Sequence, residues 1–470
     1  MAVRALGYDA DIVIAGCGAA GLSAAIEAAD RGADVLVLES QSQPAGSTRL
    51  SAGYAVFCET ELEPGSADEL YDDLREAHHD DHDEALVRLY VSRAPRAYVR
   101  LKEIGVDFVR TFQFAHMRRP WGHEVGSETL HGGAELGRRL EDAARKRGVR
   151  IITSVRARRL ICDETGRAIG IDAETPGGSC RIQARSAVII ASGGFTRNKS
   201  LIRNYGPPGT EAIFPITGAG SLGDGLTMAL ARGADTAYMA AGVAPTGPAD
   251  PKSGKGTMVI YSGAILLNLD GERFCNESEL YNDISWAGLK QRSALMFQVY
   301  DSRIRETYLK TMLGRTLVGY DEYRSNDLKE LLADMQAGEG LDAQAALGTI
   351  NLYNNEIAQG YDTAQGRTHL VGVSGKPLPL IEPPFFGVTT VPGTTHFNGG
   401  LKIDTRMRVI DVFGDPISGL FSAGEVTGGF HGRGYLSGTH VGMALIFGQI
   451  AGLNAADGAT GNLDGGSDRA

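Results

Sequence analysis

The 470-residue chain has little of what builds metal clusters, disulfide frameworks, nucleic-acid surfaces or membrane spans. Its five cysteines are scattered and contain no CxxC pair, which predicts a reducing compartment and neither an iron–sulfur nor a zinc site. The net charge of −11 and the lack of a basic tract argue against nucleic-acid and anionic-membrane partners. No apolar run approaches membrane-spanning length, and we therefore expect a cytoplasmic protein.

The chain does have a glycine-rich turn near its start, set between two apolar runs. Residues 12–15 (IVIA) predict a buried parallel strand, and GCGAAG at 16–21 then opens a helical pattern. A second strand at 35–38 (VLVL) is followed by Glu39. This order predicts a βαβ unit with a GxGxxG motif at its first turn and an acidic residue after its second strand.

The spacing of this motif fits a dinucleotide. Gly16 makes a tight turn, Gly18 lets the backbone approach a pyrophosphate, and Gly21 lets the helix pack closely on the strand. The helix N-terminus presents N–H groups and a positive dipole end to phosphates. Glu39 stands where its carboxylate accepts hydrogen bonds from a ribose hydroxyl. These residues leave NAD and FAD both open.

A loop of small residues follows at 44–53 (PAGSTRLSAG), and here the chain resembles the flavoprotein superfamily of fumarate reductase, succinate dehydrogenase and 3-ketosteroid dehydrogenase. Members carry a GG-S/T-x-x-S-x-G-G loop, in which this chain has Ala45 and Ala52 at two of the small positions. The loop contains no histidine, so the resemblance implies non-covalent FAD. GDGL at 223–226 and GLFSAGEV at 419–426 resemble further FAD-binding elements and decide for FAD.

The resemblance implies an α/β fold with two parts. A Rossmann-type FAD-binding domain comprises residues 1–225 and 399–470, and an α+β capping (substrate) domain of residues 226–398 is inserted in it. Together with the glycine motif, the resemblance predicts a set of cofactor-binding residues in the first domain. They are Gly16, Gly18, Ala19, Ala20, Gly21, Glu39, Ser40, Ser47, Thr48, Ser51, Ala52, Gly53, Gly193, Asp224, Gly424, Glu425 and Ser437.

Residues 67–105 look helical, as in the superfamily, and they include His78 and His82, four residues apart and flanked by carboxylates. Such a pair suits a metal ion. A charge-rich run of this kind is more often a solvated helix face or loop, however. We therefore predict no metal site here.

The active-site strings of this chain differ from those of the superfamily, and these differences indicate which reaction the chain catalyses. Fumarate reductases hold their dicarboxylate with two histidines and an arginine, and protonate it with a second arginine. Of these four positions only one is matched here, by His396 in the string HFNGG. The other three carry Ala244, Tyr281 and Tyr435. The comparison argues against fumarate reduction.

Two of the replacements resemble 3-ketosteroid dehydrogenases instead. RF-x-NES-x-x-Tyr at 273–281 is similar to the string that carries their catalytic tyrosine, and Tyr-x-Ser-Gly at 435–438 is similar to the pair that grips the ketone oxygen. The resemblance implies that Tyr281 removes the proton α to the ketone while FAD takes the β hydride. Tyr435 O–H and Gly438 N–H are the expected donors to the developing enolate oxygen.

We expect an FAD-dependent dehydrogenase (desaturase) of a small-molecule cyclic ketone, with an electron acceptor that the sequence does not identify. Arg118 and Arg119 precede a proline in a segment that the superfamily turns toward substrate, and with His396 they predict a carboxylate anchor. The substrate is then a small cyclic keto acid, such as a 4-oxocyclohexanecarboxylate-like ring, or else a 3-ketosteroid. One alternative is a fumarate- or urocanate-reductase-like flavoprotein that reduces an activated C=C bond. Another is a flavin-carrying assembly subunit.

Overall fold

The strand–turn–helix–strand unit predicted near the start of the chain is present. In the computed structural model, β1 (Ala10–Ala15) pairs in parallel with β2 (Val35–Leu38), and α1 (Ala19–Asp30) connects them. Both strands are buried almost throughout, as their apolar runs predict. The structure describes residues 8–113, 117–127, 132–206, 209–239, 243–279, 281–316, 319–371, 373 and 375–459.

The other described elements follow in chain order. The strands are β3 (Tyr54–Val56), β4 (Phe108–Phe112), β5 (Gly122–Val125), β6 (Arg150–Ile152), β7 (Arg156–Cys162), β8 (Ala168–Thr175), β9 (Gly178–Ile190), β10 (Phe214–Pro215), β11 (Thr236–Ala237), β12 (Val243–Ala249), β13 (Ile265–Leu267), β14 (Met296–Asp301), β15 (Tyr323–Ser325), β16 (Phe385–Phe397), β17 (Gly400–Leu401), β18 (Arg408–Ile410) and β19 (Pro416–Ser422). The helices are α2 (Ala67–Ala77), α3 (Glu84–Glu103), α4 (Gly132–Lys146), α5 (Lys199–Tyr205), α6 (Asp224–Leu230), α7 (Tyr281–Leu289), α8 (Ser302–Lys310), α9 (Met312–Thr316), α10 (Leu328–Glu339), α11 (Ala343–Gln359) and α12 (Thr439–Ala459).

The chain divides into two units. Unit 1 comprises Met1–Pro207, Thr217–Gly242 and His396–Ala470, and unit 2 comprises Pro208–Ile216 and Val243–Thr395. The predicted fold class, a Rossmann-type α/β domain with an inserted α+β domain, is confirmed. The domain boundaries taken from the sequence stay a prediction.

Unit 1 is built on a sheet with the strand order β18-β19-β9-β1-β2-β6. Neighbouring strands from β19 to β6 pair in parallel, while β18 is antiparallel to β19. Strands β7 and β8 extend from β9 as an antiparallel ladder. Because β1 lies between β2 and β9, the ends of these three strands lie side by side, and the loops that follow them meet at one edge of the sheet.

Helix α12 packs closely along α1 through small residues. A Cβ at Gly448 would clash with the carbonyl oxygen of Ala20, and one at Gly452 with that of Ala24. This approach joins the end of the chain to the glycine motif at its start, and it holds the first turn of α1 in place.

Residues 67–105 are mostly helical, as predicted, but they form two helices with a turn between them. Helix α2 begins with a capping box between Ser66 and Glu69, and α3 begins where the Asp83 side chain accepts the N–H of Leu86. Between them His79 and Asp80 have positive φ values of 56° and 53°, which end α2. The residues between the helices form a tight turn.

Unit 2 contains a sheet with the strand order β10-β16-β14-β13, to which β12 and β15 add through β16. Helix α7, which begins at Tyr281, and the pair α10 and α11 belong to this unit. Residues 325–348 contain α10 and the start of α11, separated at Gly340, whose φ is 82°. No helix among the described residues is long and apolar enough to cross a membrane.

Candidate active site

The turn after β1 is tight enough to require glycine. Gly16 has a φ of 110°, and a Cβ there would clash with the carbonyl oxygen of Ala191, just beyond β9. A Cβ at Gly21 would clash with the carbonyl oxygen of Gly16 itself. The turn therefore places the first turn of α1 directly against the loop after β9, which contains Ser192 and Gly193.

The loop of residues 44–53 is held against the N-terminus of α1. The N-cap residue of α1 is Gly18, which has no side chain that could cap the helix. Thr48 Oγ1 accepts the N–H of Ala19 at 3.0 Å instead. Ser47 Oγ accepts the N–H of Gly218 at 3.0 Å. The predicted cofactor residues of the two segments are thus brought together at a helix N-terminus, where phosphate groups bind.

Glu39 lies at the end of β2, as predicted, and is buried. Its carboxylate accepts the N–H of Cys17 at 3.1 Å and that of Gln41 at 2.8 Å. The first of these bonds comes from inside the glycine motif, so the acid and the turn are fixed relative to each other. This is the arrangement that a ribose next to a pyrophosphate requires.

Glu425 follows β19 and completes the same edge of the sheet. Its carboxylate accepts the N–H groups of Gly194 and Phe397, and burial raises its pKa to about 7. Gly424 before it has a φ of 81° and lies against Ala20 of α1. The second predicted FAD motif is therefore in contact with the first.

The residues at this edge fit FAD. Glu425 Oε1 and Ser192 Oγ are enclosed, and neither has a hydrogen-bond partner in the part of the chain that the structure describes. Enclosed polar atoms of this kind are rare unless a ligand or water satisfies them. The hydroxyls of the 44–53 loop, the Glu39 carboxylate and the α1 N-terminus would hold the pyrophosphate and ribose.

Two predicted cofactor residues have protein partners instead. Asp224 accepts two bonds from the Arg156 guanidinium, at 2.7 and 2.8 Å, at the start of α6. Ser437 Oγ lies 3.1 Å from the hydroxyl oxygen of Tyr54. Their contacts with FAD stay predictions, as do those of all the other residues assigned to the cofactor.

Tyr435 and Gly438 come together as predicted, but they bond to each other. The N–H of Gly438 donates to the Tyr435 hydroxyl oxygen at 2.9 Å. Gly438 has a φ of 92°, and a Cβ there would lie 2.8 Å from the ring of Tyr54. The tight turn thus aims a backbone donor at the phenol oxygen, while burial raises the pKa of Tyr435.

His396 lies beside Tyr435 and is electrically neutral. The two ring centroids are 4.5 Å apart, and the His440 ring is 3.6 Å from that of His396. Burial lowers the pKa of His396 to about 3 and that of His440 well below its usual value. A neutral imidazole is a poor anchor for a carboxylate. Sequence reasoning missed His431 and His440, although they flank Tyr435 in the chain.

Arg118 and Arg119 are already paired with protein carboxylates. Arg118 bonds to Asp73 at 3.0 Å and Glu76 at 2.6 Å, and its side chain is 59% exposed. Arg119 bonds to the buried Glu63 at 2.7 Å and also to Glu69. The carboxylate-anchoring role of these arginines stays a prediction, and this arrangement does not support it, because their charges are neutralised within unit 1.

Tyr281 is the first residue of α7 in unit 2 and is buried. The string before it forms a buried ion cluster, in which Arg273 bonds to Glu277 at 2.9 Å and to Asp362 at 2.8 Å. Glu277 also accepts the N–H of Leu266 in β13. These contacts fix Arg273 and Glu277, which precede Tyr281 in the chain. The side chain of Ala244 lies outside what the structure describes.

The comparisons with known proteins agree with this geometry. A family model described as FAD binding domain matches residues 11–441, which is most of the chain. The chain belongs to the FAD binding domain family. It is an FAD-dependent oxidoreductase acting on CH–CH groups.

This FAD binding domain protein is similar to two fumarate reductases and to a 3-ketosteroid dehydrogenase. It is 29% identical to a fumarate reductase (cytochrome) of Shewanella frigidimarina over 95% of this chain and 77% of that protein. The open conformation of a flavocytochrome c3 fumarate reductase matches with a TM-score of 0.84 and 26% identity, covering 97% of this chain and 79% of that one. A 3-ketosteroid-Δ4-(5α)-dehydrogenase from Rhodococcus jostii, in complex with 4-androstene-3,17-dione, matches with a TM-score of 0.73 and 28% identity, covering 97% and 100%.

Proposed function

We propose that this protein is an FAD-dependent dehydrogenase of cyclic ketones, which forms α,β-unsaturated ketones. The observation that carries the proposal is the neutral, hydrogen-bonded Tyr435 beside His396, where a fumarate reductase needs cations to hold two carboxylates. The likeness to a ketosteroid dehydrogenase structure supports the same reading. FAD, when bound, supplies the acceptor for the β hydride.

Tyr435 is the group that stabilises the developing enolate. Its oxygen accepts the Gly438 N–H at 2.9 Å, which favours negative charge on that oxygen and makes the hydroxyl a stronger donor. Because the N–H belongs to a turn that only glycine can form, the donor is fixed before substrate binds. Tyr435 therefore donates to the ketone oxygen, with Gly438 acting through it.

Tyr281 is the proposed base for the α proton. It stands at the start of α7, and the chain before it is anchored by the ion cluster of Arg273, Glu277 and Asp362. A base must be held at a fixed position relative to the bond it attacks, and a rigid buried anchor provides this. The residue is thus positioned by its own unit rather than by a loose loop.

The neutral groups around Tyr435 favour an uncharged ketone over a keto acid. His396 and His440 are neutral because burial lowers the pKa of both, and Arg118 and Arg119 are engaged by carboxylates. A substrate carboxylate buried beside these four groups would find no free cation among them, which is costly. A saturated 3-ketosteroid or a small neutral cyclic ketone meets this requirement.

A comparison of charged with uncharged ketones as substrates tests this substrate class. We expect a 4-oxocyclohexanecarboxylate methyl ester and a saturated 3-ketosteroid to reduce the bound flavin faster than the free keto acid does. The measurement is the rate of anaerobic flavin bleaching at equal concentrations of each compound. Faster bleaching by the free acid, together with its loss in an Arg119→Gln variant, would restore the carboxylate anchor.

A second candidate is a reductase of an activated C=C bond, of the fumarate or urocanate kind. The sequence likeness to a fumarate reductase of Shewanella frigidimarina, over 95% of this chain, favours it. Reoxidation of the chemically reduced flavin by urocanate or fumarate distinguishes it from the ketone dehydrogenase. We expect neither acid to reoxidise the flavin faster than buffer does.

A further inference from the structure

The strand β3 packs against the turn that carries Tyr435 and Gly438. A Cβ at Gly438 would lie 2.8 Å from the ring of Tyr54 and 3.3 Å from the side chain of Val56, both in β3. The two segments belong to the same unit, although Tyr54 and Ser437 are 383 positions apart in the chain. The turn therefore rests directly on β3.

The side chain of Tyr54 is held in place by its neighbours. Its ring packs edge-to-face on Phe112 of β4, with ring centroids 4.5 Å apart and an interplanar angle of 80°. Two residues along β3, the carbonyl oxygen of Val56 accepts the hydroxyl of the buried Tyr90 at 2.7 Å. These contacts fix both the strand and the aromatic ring, so the hydroxyl at the end of the ring has a defined position.

This hydroxyl leads to Tyr435 through one serine. The Tyr54 hydroxyl oxygen lies 3.1 Å from Ser437 Oγ, and burial raises the pKa of Tyr54, which keeps its hydrogen at neutral pH. Burial also raises the pKa of Tyr435, while hydrogen bonds with the Gly438 N–H and the Ser437 side chain lower it. The hydroxyls of Tyr54, Ser437 and Tyr435 thus form a chain of three.

We propose that Tyr54 is a positioning residue, which acts through Ser437 to strengthen the hydrogen bond from Tyr435 to the ketone oxygen. The inference rests on the proposed function, in which Tyr435 donates to that oxygen. Each hydroxyl has a single hydrogen. Since Tyr435 gives its hydrogen to the ketone, its own oxygen accepts from Ser437, and Ser437 accepts from Tyr54. Every hydrogen stays on its own oxygen, and neither a proton nor an electron is transferred along the chain.

The chain acts on the step in which charge develops. Hydrogen bonds in series polarise one another, so donation to the Tyr435 oxygen makes its O–H a stronger donor. The ketone oxygen becomes negative only as the α proton leaves, and a stronger donor therefore favours the transition state over bound ketone. The Ser437 hydroxyl could rotate on its own, and the bond with Tyr54 fixes its direction. We expect an effect on the rate rather than on ketone binding.

A conservative variant and a matched control test the role of the hydroxyl. Tyr54→Phe removes only the hydroxyl and keeps the ring that packs against Gly438. Tyr98→Phe changes another buried tyrosine of the same unit, whose hydroxyl bonds to Glu61 at 2.9 Å. FAD content and melting temperature are measured first. Loss of FAD, or a melting temperature below that of Tyr98→Phe, would assign the Tyr54 hydroxyl to stability and overturn the proposal.

Flavin reduction by an uncharged cyclic ketone is then followed anaerobically over a range of ketone concentrations. In Tyr54→Phe we expect the limiting rate to fall roughly threefold to tenfold, the effect of one hydrogen bond. The ketone concentration that gives half this rate should change less than about twofold. Tyr98→Phe should keep both values. A wild-type limiting rate in Tyr54→Phe would refute the proposal.

A double variant tests whether Tyr54 acts through Ser437. Once Ser437→Ala has broken the chain, the Tyr54 hydroxyl has no route to Tyr435. Combining Tyr54→Phe with Ser437→Ala should therefore slow flavin reduction no further than Ser437→Ala alone does. If the two substitutions slow the reaction independently, so that their effects multiply, the path through Ser437 is wrong.

The bound carbonyl reports the same hydrogen bond without turnover. A cyclic enone, the proposed product, is labelled with ¹³C at its carbonyl and bound to the oxidised protein. Its carbonyl stretch is read by isotope-edited infrared spectroscopy, in which a stronger hydrogen bond lowers the frequency. We expect the frequency in Tyr54→Phe to lie between those of the wild type and Tyr435→Phe. A frequency equal to that of the wild type would contradict the proposal.

The outcomes separate the positioning role from the proposed function. If a ketone reduces the flavin of the wild type and of Tyr54→Phe at equal rates, while Tyr435→Phe is slow, the role of Tyr54 is refuted and the function stands. If no ketone reduces the flavin of the wild type, the proposed function fails and the positioning role falls with it.

Discussion

At the scale of single residues, the proposed chemistry depends on one turn and on the start of one helix. Gly438 cannot be another residue without strain, and its N–H supports the phenol oxygen of Tyr435. Tyr281 lies in unit 2 and follows, in the sequence, a segment that forms a buried ion cluster. Each tyrosine thus has its own rigid support, which is what a pre-organised acid and base require.

Replacing Tyr281 by phenylalanine is expected to slow substrate-dependent flavin reduction by a factor on the order of 10² to 10⁴, since a proton-transfer group is lost. The FAD content should stay normal, because Tyr281 lies outside the unit that carries the cofactor motifs. Tyr361→Phe, at an exposed tyrosine of the same unit, is the control. Flavin reduction within a few-fold of wild type in Tyr281→Phe would assign this residue to packing.

The buried histidines make the stability of the protein sensitive to acid. Burial lowers the pKa of both His78 and His396 from 6.5 to about 3. The unfolded chain therefore binds protons that the folded chain does not, so stability is complete above pH 6.5 and falls as the pH drops toward 3. We expect the free energy of unfolding to decrease over this range, by up to about 1.4 kcal/mol per pH unit for each such histidine.

Denaturant unfolding at a series of pH values measures this slope. His78→Gln should make the dependence shallower by up to one proton. Equal slopes for His78→Gln and the wild type would show that His78 is not buried as a neutral ring.

At the scale of secondary-structure elements, the first βαβ unit positions the cofactor site. The turn between β1 and α1 touches the loop after β9, the 44–53 loop and the turn after β19. These loops all follow neighbouring strands of one sheet or flank α1. A change in the turn therefore shifts every motif that the sequence assigns to FAD.

Substituting Gly16 by alanine should abolish FAD binding, because its Cβ would clash with the Ala191 carbonyl. Gly32→Ala is a matched control: its φ is also positive, at 84°, but its Cβ would meet nothing within 4 Å. It should cost roughly 1 kcal/mol of stability and retain FAD. The flavin-to-protein absorbance ratio after gel filtration measures this, and equal ratios for the two variants would contradict the account.

Much of the element-scale picture could be predicted, because it depends on local pattern. The apolar runs around the glycine motif predict β1, α1 and β2, and all three are present. The break at His79 and Asp80 could not be predicted, since the residues on either side continue a helical pattern. At this break, the N-cap formed by Asp83 and the tertiary contacts outweigh the intrinsic helix propensity of the residues.

At the scale of the whole molecule, the contact between His78 and His431 shows why the site geometry could not be predicted from the sequence. His78 and His431 meet only because a glycine segment packs against the end of α2, where a Cβ at Gly434 would clash with the carbonyl oxygen of Ala77. His78 was expected on a solvated face, and this prediction is wrong: the residue is fully buried. Contacts between such distant segments follow from packing and leave no local pattern.

The absence of a histidine in the 44–53 loop predicts that FAD is held without a covalent bond. Acid precipitation of the purified yellow protein should release intact FAD into the supernatant, because hydrogen bonds and packing are lost on unfolding. Chromatography of the supernatant against authentic FAD measures this. Flavin that stays with the washed precipitate would contradict the prediction.

The direction of flavin chemistry tests the central claim most directly. The oxidised protein is mixed anaerobically with an uncharged cyclic ketone, and the reduced protein is mixed separately with fumarate. The account predicts that the ketone bleaches the flavin with formation of one α,β-unsaturated ketone per FAD, and that fumarate leaves the reduced flavin unchanged. Rapid reoxidation by fumarate, with no bleaching by any ketone, would contradict it.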